Sequence, residues 1–266
     1  MRLNRARRDT AFTLVELAVV LMVVGLLLST LTYTLAAQTE QRTREQTQRT
    51  LEQAREALIG FAITNGRLPC PASSASNGLE APAGGGDCSN YNDGYLPAVT
   101  LGFHPTDASG YALDGWSNRV RYAVARNISG CSGTSVVPHF TAKAALKQNG
   151  MSCLPSASEL LVCKSSVSVP APAPGSCGAA DNSVTNTGTV VAIVFSPGKN
   201  FVAAQSPAAA LAAGRNDEAA NLDGNTIYIT HAPAPGGATG GEFDDQVLWI
   251  PIGLLYGRLA AAGVLP

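Results

Sequence analysis

From Phe12 to Ala37 the chain reads FTLVELAVVLMVVGLLLSTLTYTLAA, and Glu16 is the one charged residue in that stretch. From Leu17 to Ala37, about 21 residues, there is no charge, and at roughly 1.5 Å of rise per residue such a helix spans about 30 Å, the thickness of a hydrocarbon core. Valine is a modest helix former, but a chain in lipid must satisfy its own backbone hydrogen bonds, which a helix does. The expectation is therefore a membrane-spanning helix. Arg2, Arg5, Arg7 and Arg8 precede it, with Asp9 the only acid beside them. Basic flanks stay in the cytoplasm. That predicts a single-pass protein of the bacterial inner membrane, with a cytoplasmic N-terminus and a periplasmic globular domain.

Two accounts of this segment compete. An ordinary secretory signal peptide, removed near Ala36 or Ala37 to release an exported soluble domain, explains the basic start and the apolar stretch. It leaves the length of that stretch and the presence of Glu16 unexplained. An unpaired carboxylate at the centre of a membrane helix costs roughly 2.5 kcal/mol or more, so such a charge calls for a partner.

The string AFTLVEL, Ala11 to Leu17, resembles the leader junction of type IV pilins and type II secretion pseudopilins. That resemblance implies a leader over residues 1–11, cleavage by a prepilin peptidase between Ala11 and Phe12, and methylation of the new N-terminus. Ala11 stands where the family usually has glycine. Glu16 becomes the fifth mature residue, which in the family pairs with the terminal amine of a neighbouring subunit. A buried carboxylate and a buried ammonium each cost much alone and less together.

The segment continues as QTEQRTREQTQRTLEQAREALIGFAITNG without proline until Pro69. Glu, Gln, Arg, Leu and Ala are strong helix formers. Leu51, Ala54, Leu58, Phe61 and Ala62 recur at three- and four-residue steps, an apolar stripe suited to packing on a domain. One helix is thus expected from about Thr13 to about Thr64, with residues 12–37 its membrane half and 38–66 its amphipathic half. Asn65-Gly66 is a natural stop. The mixed charges between Glu40 and Glu56 read as a solvated face with i to i+4 pairs, or as a docking face for neighbouring subunits.

Residues 67–266 form the expected outer domain. Hydrophobic residues make up 45 % of the chain and charged ones 14 %, so a packed core rather than global disorder follows. Six cysteines, Cys70, Cys88, Cys131, Cys153, Cys163 and Cys177, all lie in this domain without metal-type spacing. On the far side of a membrane they read as disulfides, and six allow 15 pairings. Chain order favours Cys70 with Cys88, then Cys131 with Cys153 and Cys163 with Cys177.

The segment DGWSNRVRYAV, Asp114 to Val124, resembles the turn that opens the first hairpin of major-pseudopilin-type proteins. Asp114-Gly115 reads as the turn, Val120, Tyr122 and Val124 as the buried side of a strand, and Trp116 as core or interface. Val190 to Phe195, Thr226 to Thr230 and Val247 to Ile250 read as further strands, and Leu254 to Ala262 as a short helix. Val169 to Gly178 and Ala232 to Gly241 are Pro/Gly/Ala-rich loops. The expected fold is α+β: a long N-terminal membrane-spanning helix packed on an antiparallel sheet with long loops, as in pilin-like proteins.

Asp217, Glu218, Asn221 and Asp223 lie in GRNDEAANLDGN, and Asp244 and Asp245 in FDDQVLW. Oxygen ligands on loops suit calcium. The resemblance to major pseudopilins implies a calcium site near the C-terminus, and Asp217, Asp223, Asp244 and Asp245 are the expected ligands. The spacing is not that of an EF-hand loop, and turn or cap roles explain the same residues without a metal. Otherwise no cofactor is expected.

His104, His139 and His231 show no ligand spacing, and no nucleophile or metalloprotease motif appears, so the chain is not expected to be an enzyme. Gly198-Lys199 lacks the upstream glycine of a phosphate loop. A net charge of -1 argues against a nucleic-acid partner. The resemblance implies a minor pilin or pseudopilin in a secretion pseudopilus or a type IV pilus. Its partners would be other subunits, prepilin peptidase and the inner membrane. A pilus-tip adhesin or DNA-uptake pilin is the alternative.

Overall fold

The computed structural model describes residues 13–127, 138–143, 145–167, 175–201 and 206–265. The chain divides into two compact units, the first ending at Glu45 and the second beginning at Gln46. Helix α1, Leu14–Asn65, contributes to both and is 52 residues long, one residue offset from the expected bounds at each end.

In the first unit α1 exposes apolar side chains, among them Leu14, Leu17, Leu21, Met22, Leu26 and Leu27. Nearer Glu45 the helix carries i to i+4 contacts, Arg44 to Glu40 at 3.0 Å and Gln41 to Glu45 at 3.1 Å. These are i to i+4 contacts of the kind the charge pattern leads one to expect.

Among the described residues, no helix is long and apolar enough to cross a membrane. That overturns the expected membrane-spanning half of the helix, and with it the single-pass inner-membrane location. The described apolar side chains run from Leu14 to Leu27.

In the second unit the remainder of α1 buries Thr47, Leu51, Ala54, Leu58, Ile59 and Ala62. The i, i+3, i+4 stripe is therefore core, with Phe61 partly covered by the Arg67 guanidinium 5.1 Å from its ring centroid. Gly66 ends the helix at φ 66°, its N–H donating to Ala62 O at 2.9 Å, a left-handed stop that glycine adopts at little cost.

Short elements follow: β1 (Gly94–Tyr95), α2 (Ala98–Leu101), β2 (Arg121–Val124), α3 (Ala145–Asn149), β3 (Leu161–Cys163) and β4 (Val190–Ser196). After them come α4 (Pro207–Ala212), α5 (Asn216–Leu222), β5 (Ile227–Ile229), β6 (Gln246–Pro251) and α6 (Ile252–Ala261). Four strands make an antiparallel sheet in the order β1-β2-β4-β6, with Tyr122 opposite Val194 and Val194 opposite Leu248. The α+β antiparallel expectation holds in this unit. Strand β4 is buried along its whole length and accounts for the apolar run VVAIVF.

A second, two-stranded sheet pairs β3 with β5 in parallel, Val162 opposite Tyr228. The strand expected at Thr226 to Thr230 is thus real but belongs outside the main sheet. Leu161, Cys163, Ile227, Ile229, Cys177 and Phe243 form a small core of their own beside the main one. Disulfides join Cys70 to Cys88 and Cys163 to Cys177. Cys131, the partner expected for Cys153, lies outside the described residues.

Trp116 is partly exposed and belongs to neither hydrophobic cluster, so its core assignment fails. Its turn is rigid all the same. Buried Asp114 accepts from Trp116 N at 2.9 Å, from Asn118 N at 2.7 Å and from the Ser196 hydroxyl, while Gly115 N donates to Thr47 Oγ1 of α1 at 2.9 Å.

Candidate functional site

Two places gather the residues singled out above: the start of α1 in the first unit, and the surroundings of α5 in the second. Ala11 and Phe12, the expected processing pair, lie outside the described residues. Glu16 sits in the first turn of α1. Its Oε2 accepts from Thr13 N and from Thr13 Oγ1, each at 3.2 Å, and Glu16 N donates to Thr13 Oγ1 at 3.2 Å. This is a capping box, Thr-x-x-Glu, in which each residue satisfies an N-terminal donor of the other. The negative charge also lies at the positive end of the helix dipole. The carboxylate therefore has a local partner within its own chain. The box is written in the sequence as Thr13-Leu14-Val15-Glu16, where its second and third residues also belong to the apolar run.

Around α5 the expected calcium ligands separate. Asp217, 1 % exposed, accepts from Ser166 N and Ser166 Oγ at 2.6 Å and from Ser165 Oγ at 3.2 Å; its other oxygen lies 3.2 Å from His231 Nε2. The His231 ring stacks on Phe243, centroids 3.9 Å apart, and its Nδ1 lies 2.7 Å from Ala232 O. Asp217 thus ties the segment after β3 and the segment after β5 to α5. It is a structural node rather than a ligand. Asp223 is exposed and accepts from Asn225 N at 2.9 Å and Asn225 Nδ2 at 2.6 Å, the turn role foreseen for it. Neither joins the other two aspartates.

Glu218 does. Glu218, Asp244 and Asp245 are all buried, and one carboxylate oxygen of each lies within 4.8 Å of the others. Glu218 Oε1 accepts from Asn200 Nδ2 at 3.0 Å and Asp244 N at 3.1 Å, and Oε2 from Arg215 Nη1 at 3.0 Å. Asp245 Oδ2 accepts from Asn221 Nδ2 at 2.8 Å. Burial raises the Glu218 carboxyl above its usual range, with Asn200 and Arg215 opposing the rise. Burial, reinforced by the neighbouring charges of Glu218 and Asp244, raises Asp245 well above its own.

His139 is buried elsewhere, with Nε2 at 2.9 Å from Tyr256 Oη, and burial lowers it to about 4. The Tyr256 hydroxyl donates in turn to Cys153 O. His139 and His231 thus serve separate networks.

No protein-family model, curated protein or solved structure matches this chain.

Proposed function

We propose that the chain is a minor subunit of a pilin-type filament, of a type II secretion pseudopilus or a type IV pilus, made as a precursor and cut between Ala11 and Phe12. The observation that carries this reading is the apolar surface of α1. Leu14 is 85 % exposed, Met22 71 % and Leu27 64 %. Apolar side chains at that density on a helix are costly in water, at about 25 cal/mol per Å² of uncovered apolar area. Large exposed apolar patches mark surfaces that another body covers. In a filament that body is the equivalent helix of other subunits. The basic residues of the leader and the AFTLVEL string give the same reading an entry route, since cleavage places a free amine on Phe12, the residue just ahead of the Thr13–Glu16 box.

The test is the mature N-terminus. Full-length chain is co-expressed with a prepilin peptidase and the product is analysed by mass spectrometry. The expected product begins at N-methylated Phe12. An end near Ala37 or Gln38, or an uncut chain, removes the proposal. Cross-linking through a Leu21→Cys substitution is expected to trap chain-to-chain adducts, and loss of the corresponding machine on deletion, scored as secretion, twitching and DNA uptake, assigns the filament.

A further inference from the structure

We infer that the cavity framed by Tyr95, Arg119 and Phe201, beside the edge strand β1, binds a small carboxylate that carries a flat apolar group, with Arg119 holding the carboxylate. The inference does not depend on the filament reading. Neither α1 nor the acidic residues around α5 take part in it.

The cavity measures about 360 Å³. Tyr95, Leu113 and Phe201 give it apolar walls, and Asp107, Ser117 and Arg119 give it polar ones. A small organic ligand needs that size and that mixture. Arg119 is fixed within it. Its Nε donates to Asp107 Oδ2 at 2.9 Å, and its guanidinium lies 4.1 Å from the Tyr111 ring centroid and 5.7 Å from that of Tyr95. Both supports are themselves held. Tyr111 is buried, its hydroxyl donating to Ser73 O at 2.8 Å and accepting from Asn77 N at 3.0 Å. Asp107 Oδ1 accepts from Ser109 N and Tyr111 N, each at 2.9 Å. Among the described residues, nothing accepts from Arg119 Nη1 or Nη2. The end of the guanidinium is therefore left over, and it offers two parallel N–H donors, the geometry of a carboxylate. Ser117 adds a second observation. It lines the same cavity at φ 69°, a left-handed conformation that is strained for serine and that clusters at ligand sites.

Charge selects the class of ligand. Asp107 partly neutralises Arg119. The neighbouring Arg121, whose guanidinium lies 4.6 Å from the Tyr95 centroid and 6.0 Å from that of Phe201, is paired with Asp93 at 2.6 Å. These two arginines and two aspartates carry no surplus positive charge, so a dianion such as phosphate is poorly compensated there. A singly charged, planar carboxylate needs only the free end of Arg119. The rings set the rest of the ligand. A flat apolar group packs on Tyr95 and Phe201, whereas a carboxylate without one leaves those walls wet and gains nothing from them. The wall carrying Phe201 is tied to the Ser117 turn, because Asn118 Nδ2 donates to Gly198 O at 2.6 Å.

The test uses the full chain, with benzoate and phenylacetate as probes, read by calorimetry and by ligand-observed NMR. Saturable binding at millimolar concentration or below is expected. Benzamide, which keeps the ring and the shape but not the charge, is expected to bind about tenfold more weakly or worse. Acetate and inorganic phosphate are also expected to bind more weakly than benzoate. Arg119→Lys keeps the charge but not the fork, and is expected to weaken benzoate about tenfold. Arg126→Gln removes an arginine that likewise lies on a tyrosine and pairs with an aspartate, but outside the cavity, and is expected to change nothing. Absence of saturable binding by both probes overturns the site, and so does benzamide binding as tightly as benzoate. Phosphate binding as tightly overturns the class of ligand, and unaltered benzoate affinity in Arg119→Lys overturns the role of Arg119. The benzoate–benzamide comparison needs no variant, so it decides the matter even if Arg119→Lys fails to fold.

Discussion

Helices α1 and α5 both begin with acid in the first turn, and these acids are stabilised in opposite ways. In α1 the partner of Glu16 is Thr13, three residues back, and both are exposed. In α5 the acids are Asp217 and Glu218, both buried. Asp217 draws on Ser165 and Ser166, 52 and 51 residues away, and on His231, 14 residues away. Glu218 draws on Asp244, 26 residues away. Position and charge are the same; the solvent is not. Water can replace the partner of Glu16, whereas nothing replaces those of Asp217 if they leave. Removing the acid should therefore cost little at one helix and much at the other.

The largest effect is expected at Asp217. Asp217→Ala strands one N–H and two hydroxyls, and leaves His231 without its carboxylate. Four partly buried donors lose one buried, charged acceptor together, so a loss of roughly 3 to 4 kcal/mol is expected in urea unfolding. A loss below about 1 kcal/mol would mean that water reaches the node, and the contrast with Glu16 would collapse. Next comes the Cys163–Cys177 bridge, which closes a loop with a sequence separation of 14 onto the same small core. Replacing both cysteines with serine is expected to cost about 3 kcal/mol. The cost should fall on the β3–β5 sheet, read as faster amide exchange at Val162 and Tyr228, with β4 unaffected.

How much of this was legible in the chain differs between the same two helices. The bounds of α1 follow from local chemistry: a proline-free run of helix formers, an Asn-Gly stop and an apolar stripe. Its Thr-x-x-Glu box is equally local, two residues three apart in the chain. Helices α4 and α5 are six and seven residues long, too short for a periodic pattern to show. Helix α4 is nonetheless capped locally: Ser206 Oγ accepts from Ala209 N at 3.3 Å and proline occupies the first turn. The two acidic segments stand out in the sequence, but which of their residues meet does not. One step along a helix turns a side chain by about 100°, so Asp217 and Glu218 face different neighbours. Only the fold decides which of them meets Asp244 and Asp245. The parallel β3–β5 pairing was likewise hidden, because LVC and IYI are too short to announce a partner 66 positions apart in register.

Titration sharpens the comparison further. The carboxyls of Glu218 and Asp245 are raised in the folded state. Between the ordinary carboxylate range and those raised values the folded chain holds more protons than the unfolded one. Their contribution to stability is complete below the unfolded pKa and is lost as pH rises through the folded one. His139 works the other way. Lowered from 6.5 to about 4, it is neutral when folded, so its contribution is present above 6.5 and is lost as pH falls toward about 4. In chelator, Asp245→Asn is expected to stabilise the protein more at pH 8 than at pH 5, and His139→Gln to flatten the acid limb. An Asp245→Asn effect that is equal at both pH values would show that its carboxyl titrates normally, and its burial would then carry no electrostatic cost.

The smallest effect is expected at the start of α1, and there the comparison is most exposed to failure. Thr13→Ala removes the hydroxyl that Glu16 N donates to and one of the two donors on Glu16 Oε2. The cap is worth about 1 kcal/mol at most to the local helix, and water takes up part of the loss. Global unfolding should not register it. Amide exchange at Val15, Glu16 and Leu17 should accelerate several-fold, while exchange at Leu51 and Leu58, on the buried stretch of the same helix, stays unchanged. Thr13→Ser should restore protection, since only the oxygen is needed. If Thr13→Ala left those first-turn amides as protected as before, the box would not be what holds Glu16. Its carboxylate would then need another partner, and the free amine of a neighbouring chain would become the first place to look.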